Sequence, residues 1–167
     1  KAVYPDGRQI GTWDTWGHYH NMLGLLLWHE DTGEARALRS VRRMADLLCE
    51  RYGGEGKPNL ADSGNSEMNL APAHSMCLLF RRTRERKYLE WARRIVEVEF
   101  AGKDNGRWSC GNYLEGALSG LEFFELPKPR WESLHPIMAL AELHELTGEV
   151  RYRTAFERLW WSIAHLD

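Results

Sequence analysis

The side chains best suited to chemistry stand just ahead of predicted helices, and the first group is the run Trp13-Asp14-Thr15-Trp16-Gly17-His18. Flat aromatic rings at a loop–helix junction can stack on the apolar C–H face of a sugar, or they can close the end of a helix. Asp14 can accept a hydrogen bond from a sugar hydroxyl or cap its helix, and we favour the cap. The run therefore predicts either a sugar-binding site or a closed helix start.

Histidine is frequent near the same helix starts. His18 and His20 are two residues apart, so one face of a helix cannot hold both, and we expect His18 to point into a cavity. His135 stands at the start of a later helix. A metal-binding pair on a helix normally has i, i+4 spacing, which these positions lack. The pattern predicts polar contacts with a ligand and no metal site within this chain.

Carboxylates stand at comparable places. Glu67 and Glu132 lie at two further helix starts, with Asn65 two residues before the first. Glycoside hydrolysis requires a pair of carboxylates, so these glutamates are candidates for that chemistry. A first-turn glutamate is also favoured by the helix dipole, and this is the simpler interpretation for each alone.

Net charge and hydropathy exclude two classes of partner. The chain has 22 Lys and Arg against 24 Asp and Glu, a net charge of −2, so no basic surface for nucleic acid or an acidic membrane is predicted. The longest apolar run, Met22 to Trp28, is far shorter than the ~20 residues of a membrane-spanning helix. These properties suit a cytoplasmic protein and equally a periplasmic or secreted one.

The elements that position these side chains follow from an internal repeat centred on Thr32, Thr83 and Thr147. Apolar residues stand four and seven positions before each threonine and again at helical spacing after it, which predicts a helix, a tight turn and a second helix. Gly33 and Gly148 supply the left-handed residue that ends the first helix. Because the connection is short, the paired helices are antiparallel, and the chain is predicted to be all-α.

The first helices of the three units have equivalent starts. Pro72 and Pro136 stand eleven residues before their threonines, and Asn21 holds that place in the first unit. Proline inside a helix is tolerated only in the first turn. If the helices ring a common axis, the polar and aromatic residues at these starts face one cavity mouth.

Long linkers at one end of the hairpins favour a closed barrel. Six hairpins need roughly twice this chain at helix lengths of ~11–17 residues, so we expect residues 1–167 to be one all-α unit, the N-terminal half of an (α/α)6 barrel. Its open flank should contact the remaining part of the barrel or a second copy. The alternatives are a non-enzymatic helical-repeat scaffold that binds a protein, and a sugar epimerase of the same barrel type with a histidine pair facing one cavity.

The opening from Trp13 to His18, followed by a helix that ends at Thr32-Gly33-Glu34, resembles the catalytic barrel of β-L-arabinofuranosidases of glycoside hydrolase family 127 and their relatives. The stretch from Leu140 to Tyr152 resembles a later repeat of that family. The resemblance implies a retaining glycosidase that acts on a furanose, with a zinc-bound cysteine as nucleophile and a glutamate as acid/base. The motifs that carry these groups are absent here, so zinc is implied only for a longer protein.

The resemblance also implies roles for individual residues. By motif, His18 matches a family histidine that contacts the sugar, Asn65 replaces a second histidine, and His135 lies near a third. The three cysteines do not match the zinc-ligand pattern, and Cys110, in a turn-like stretch, is expected to be the most reactive thiol. The predicted partner is a small sugar or glycan, and the predicted binding residues are Asp14, Trp16, His18, Asn65, Glu67 and His135.

Overall fold

The computed structural model describes residues 13–63, 66–104 and 106–165. Within these ranges the helices are α1 (Asp14–Thr32), α2 (Ala35–Arg51), α3 (Pro72–Thr83), α4 (Arg86–Arg94), α5 (Tyr113–Leu118), α6 (Leu134–Thr147) and α7 (Val150–Ala164). A π-helical turn, Ile95–Glu99, continues α4, and the 3-10 turns are Leu60–Ser63, Ser66–Leu70, Phe123–Glu125 and Trp131–Ser133. The described strands are two residues each, β1 (Lys103–Asp104) paired antiparallel with β2 (Arg107–Trp108). The all-α prediction is confirmed.

The repeat threonine has the same structural role in the turn of each hairpin. The Thr32 hydroxyl donates to the Trp28 carbonyl at 2.6 Å and accepts from the Glu34 amide at 3.2 Å, so one side chain satisfies a carbonyl at the end of α1 and an amide at the start of α2. Thr83 and Thr147 make the same two bonds.

A left-handed residue follows each threonine. The φ angles are 71° at Gly33 and 73° at Gly148, which confirms the predicted helix ends. Arg84 adopts the same conformation with a φ of 60°, although it carries a side chain.

The hairpins α1–α2, α3–α4 and α6–α7 stand side by side in two layers. Helix α3 packs between α1 and α6 in one layer, α2 contacts α4 in the other, and α5 covers α7. The larger of two hydrophobic clusters among the described residues runs through all three hairpins and includes Leu26, Leu79 and Leu143; the smaller lies at the start of α1. The starts of α1, α3 and α6 therefore meet at one end of the layer, and the three tight turns lie at the other. No helix in the described ranges is long and apolar enough to cross a membrane.

Polar contacts between α2 and the turn end of the second hairpin lock the first hairpin to the second. The buried Tyr88 donates its hydroxyl hydrogen bond to Asp46 Oδ1 at 2.8 Å, and Lys87 Nζ lies 2.7 Å from the same oxygen. Arg42 pairs with Glu85 at 2.6 Å. The Asp46 carboxylate and the Arg42 guanidinium belong to α2, and their partners belong to the start of the second hairpin's outer helix.

The second joint repeats the first, residue for residue. Tyr152 and Arg151 both contact the Glu97 carboxylate, and Arg93 pairs with Glu149 at 2.9 Å. Each of these residues stands at the same distance from its repeat threonine as its counterpart in the first joint. We call this arrangement the inter-hairpin lock; it sets how each hairpin leans on the next.

Candidate functional site

The starts of α1, α3 and α6 are tied together by side chains from their first turns. The Thr15 hydroxyl donates to the Asn69 carbonyl at 3.3 Å, which joins α1 to the turn before α3. Glu67, in that turn, forms an ion pair with Arg130, just before the turn that leads into α6. Met68 packs against the aromatic rings of α1. Residues more than fifty positions apart are thereby held in one place.

Six ring-bearing side chains converge at this end of the molecule, and we call them the entrance cluster: Trp16, Tyr19, His20, His74, Trp131 and His135. Trp16 stands edge-on to His20 and His135, with ring centroids 4.4 and 4.9 Å apart. The His20 and His135 rings lie 5.2 Å apart. Trp131 meets Trp16 and His135 at 5.9 and 5.8 Å, also edge-on. In an edge-on pair the edge of one ring meets the face of the other, so these contacts restrict how the rings can turn.

Tyr19 lies at the centre of the cluster. Its hydroxyl oxygen is 3.1 Å from Nδ1 of His74 and 3.1 Å from Nδ1 of His135. The phenol is only 1% exposed and His74 only 8%, whereas His135 is half-buried and His20 is exposed. The cluster thus has a buried polar base and an open side formed by His20, His135 and Trp131.

Burial keeps the members of this base uncharged. Desolvation lowers the pKa of His74 to about 4, with a smaller contribution from nearby His135, and it raises the pKa of Tyr19 to about 12. Desolvation and the neighbouring His20 lower the pKa of His135, against an opposing contribution from Glu132. Near neutral pH, Tyr19, His74 and His135 are therefore all neutral, and each imidazole offers one donor and one acceptor.

The structure brings together two of the predicted binding residues, Trp16 and His135, and places Asp14, His18 and Glu67 outside the cluster. Glu67 is fully buried in the turn before α3, where it pairs with Arg130 from the segment before α6. Asn65 lies outside the described residues. Asp14 and His18 line a groove of about 440 Å³ between the start of α1 and the end of α2.

One expectation about α1 needs correction. Trp13, not Asp14, is the N-cap residue, and it makes no side-chain cap bond; Asp14 is the first helical residue, where its charge suits the helix dipole. His18 lines the α1–α2 groove and not the cluster: its Nδ1 lies 3.1 Å from the Asp14 carbonyl and its ring faces α2. The two histidines do occupy different faces, as their spacing requires, and His20 is the one that joins the cluster.

Four members of the cluster, Tyr19, His20, His74 and Trp131, were not among the predicted binding residues. One signal was available for His20, because it and His135 each stand twelve residues before their repeat threonine. His74 and Tyr19 gave no such signal, since their contact joins residues 55 positions apart.

The thiols do not fit the zinc-bound nucleophile that the resemblance implied. Among the described residues no group of three or more His, Cys, Asp or Glu side chains is arranged to hold a metal ion. Cys77 and Cys110 are buried and Cys49 is half-buried, which argues against the expectation that Cys110 is the most reactive thiol. Burial raises the pKa of Cys49 to about 11 and that of Cys77 further still, whereas a nucleophilic thiol needs a lowered pKa. Cys77 and Cys110 belong to the hydrophobic core, and Cys49 packs against it.

Comparison with known proteins agrees with this architecture. No curated protein matched the chain. The family model described as Beta-L-arabinofuranosidase, GH127 catalytic domain, matches residues 4–165, nearly the whole chain. Members of this family are glycoside hydrolases built on an α/α barrel, and the layered hairpins are consistent with that fold. The chain belongs to the catalytic-domain family of the β-L-arabinofuranosidases, glycoside hydrolase family 127.

Proposed function

We propose that the entrance cluster is the sugar-binding surface of this glycoside hydrolase, and that its ligand is a furanoside of the β-L-arabinofuranoside class. The observation that supports this most directly is the convergence of side chains from three helix starts around the Tyr19 hydroxyl. An open scaffold for a protein partner would spread such residues along a groove. Their convergence at one end of the layer favours an enzyme site over that alternative.

Each exposed member of the cluster has chemistry that suits a sugar. Trp131 is 64% exposed, so a ring face is open to the apolar C–H side of a furanose. His20 and His135 carry imidazoles that, when neutral, can donate to one hydroxyl and accept from another. Trp16, 8% exposed, stands edge-on to both rings and restricts their orientation.

Glu67 contributes to this proposal indirectly. Its carboxylate is fully buried and paired with Arg130, so it holds the turn before α3 to the turn before α6. Only the carboxylate side of this pair is buried, since the Arg130 side chain is 48% exposed, so the pair contributes less to stability than a fully buried one. We therefore assign Glu67 to holding the helix starts together and not to direct contact with the sugar.

The groove between α1 and α2 provides the competing location. Asp14 and His18 line it together with Asn21 and the exposed Trp13, so it also combines an aromatic ring with polar groups. The resemblance assigns the sugar contact to His18, whereas the geometry favours His20. The two histidines make a matched pair for an experiment, since both lie in α1 and neither is fully buried.

The test is titration of L-arabinose into the full chain and into His20→Ala, Trp131→Ala and His18→Ala. Loss of one hydrogen bond or one stacking contact is worth about 1 kcal/mol, which corresponds to roughly five- to tenfold weaker binding. We expect that loss for His20→Ala and Trp131→Ala and an unchanged affinity for His18→Ala. The reverse pattern would move the sugar site to the α1–α2 groove, and equal affinity in all four proteins would remove both locations.

We also propose that residues 1–167 form three of the six hairpins of an (α/α)6 barrel. Both flanks of the layer carry exposed aromatic and aliphatic side chains: Leu27 and Trp28 on α1, and Trp160 and Trp161 on α7, are about half exposed. Apolar surface of this kind is normally covered. A neighbouring hairpin of the barrel or a second copy of the chain would cover it.

A further inference from the structure

The contacts of Tyr19 constrain where the protons of two histidines lie. A phenol has one O–H to donate, and its oxygen can accept. Two ring nitrogens, Nδ1 of His74 and Nδ1 of His135, both lie 3.1 Å from that oxygen. These are the two hydrogen-bond partners of the buried hydroxyl among the described residues, so its O–H donates to one ring, and the other ring must donate to Tyr19 for both bonds to form. One Nδ1 therefore carries a proton and the other does not.

We propose that Tyr19 and His74 are positioning residues that fix the tautomer of His135: the phenol links the rings so that His74 and His135 hold opposite tautomers. This inference rests on the proposed function, because His135 is a proposed sugar contact. Its Nε2 is the ring nitrogen left for a ligand, and the state of Nδ1 decides whether Nε2 donates to or accepts from a hydroxyl. A fixed tautomer would make His135 selective for one hydroxyl orientation.

Burial is what makes the assignment stable. An imidazole changes tautomer by gaining a proton at one nitrogen and losing one at the other, and His74 is only 8% exposed to the water that would exchange it. An unmade hydrogen bond in this buried base would weaken folding, because a buried polar group without a partner keeps its full desolvation penalty. Both effects favour one arrangement of three protons over a mixture.

The charged and titratable groups around the pair come from each neighbouring element. His20 belongs to α1, Glu132 to the turn before α6, and Glu67, from the turn before α3, is already paired with Arg130. Lowered pKa values for both rings and a raised value for Tyr19 keep all three groups neutral near pH ~7.5. The proton count used above therefore holds at that pH.

The test is long-range 1H–15N NMR of the histidine rings in the full chain at about pH 7.5, with His74→Asn and His135→Asn used to assign the signals. We expect one ring protonated at Nδ1 and the other at Nε2. In Tyr19→Phe, the link is gone, and at least one ring should change tautomer. The same tautomer on both wild-type rings, or two unchanged rings in Tyr19→Phe, would overturn the proposal.

Tyr88→Phe is the matched control. It also removes a buried phenol hydroxyl that hydrogen-bonds, but at the turn end of the hairpins. In Tyr88→Phe the signals of the His74 and His135 rings should match those of the wild type. A tautomer change in that variant would mean that general loosening of the fold is enough to shift the tautomers, which would count against the phenol link.

A second measurement separates this inference from the sugar site itself. The tautomers are read without ligand, so failure of L-arabinose to bind the wild type would remove the proposed function and leave the tautomer result intact. If the wild type binds, Tyr19→Phe should bind roughly three- to tenfold more weakly, a loss of about 1 kcal/mol. Changed tautomers with unchanged affinity would show that Tyr19 does not position His135 for the sugar, and would overturn that part of the proposal.

Discussion

Removal of the Tyr88 hydroxyl tests the inter-hairpin lock at the joint between the first and second hairpins. Tyr88→Phe keeps the buried ring and deletes only the hydrogen bond to Asp46. A bond to a charged acceptor contributes about 1.5–3 kcal/mol when both groups are buried. The Asp46 side chain is 50% exposed, so water replaces much of the lost bond, and we expect a loss of about 1 kcal/mol.

The assay is urea and thermal unfolding of the full chain, arranged as a double-mutant cycle with Asp46→Asn. A loss of about 1 kcal/mol lowers the Tm of a domain of this size by roughly 2–4 °C. The coupling between the two substitutions should account for most of that loss. Additive effects, with coupling below about 0.3 kcal/mol, would refute the claim that the hydroxyl acts through Asp46.

The free energy of unfolding that Tyr88→Phe loses should also depend on pH. Burial raises the pKa of Asp46, but hydrogen bonds from Lys87 and Tyr88 outweigh it and leave the pKa below its ordinary value. A lowered folded-state pKa contributes stability above the unfolded-state pKa of about 3.9, and that stability is lost as pH falls through the folded-state value. The difference between wild type and Tyr88→Phe should therefore be full at about pH 7 and smaller near pH ~3. A difference that grows in acid would contradict the assigned direction.

The remaining predictions concern the turns and the flanks. Arg84→Gly should stabilise the chain by about 0.5–1 kcal/mol, because relief of ~1–2 kcal/mol of left-handed strain exceeds the entropy that glycine adds to the unfolded state. Gly148→Ala, where nothing lies within 4 Å of the added Cβ, should lower the free energy of unfolding by about 1 kcal/mol. If urea unfolding gives changes of the same sign for Arg84→Gly and Gly148→Ala, the backbone explanation is refuted. The isolated chain should associate or bind an apolar dye through flanks that include Trp28 and Trp161; a monomer by light scattering that binds no dye would contradict the exposed flanks.

The turns were the most predictable part of the fold. The threonine hydroxyl hydrogen-bonds a carbonyl four residues earlier and an amide two residues later. Because all these groups are close in sequence, each turn of this type requires the same residues at the same spacing. Gly33 and Gly148 follow from it for the same reason. The equivalence of Pro72 and Pro136 likewise identified the starts of α3 and α6, because proline restricts where a helix can begin.

The face of α1 that carries the site was not predictable in the same way. The helix has apolar residues nearly all round, from Met22 to Trp28, so periodicity does not single out one buried stripe. The buried stripe contains Trp16, Tyr19 and Met22, and it places His20 beside Trp16 while His18 faces α2. That choice depends on how α3 and α6 pack, which no local pattern in α1 records.

The two ends of the layer place different demands on the sequence, and this explains why the turn end repeats more closely than the end with the helix starts. Helix α3 has 12 residues and is about 18 Å long, so a tilt of about 5° at the turn end moves its start by roughly 1.5 Å. A shift of that size would break the 3.1 Å contact between Tyr19 and His74. Each joint needs the same angle, so Tyr88 and Tyr152 recur. At the entrance cluster one phenol must be met by two rings from two other helices, so Tyr19 and His74 do not recur at the equivalent places of the other hairpins, although His20 and His135 do correspond.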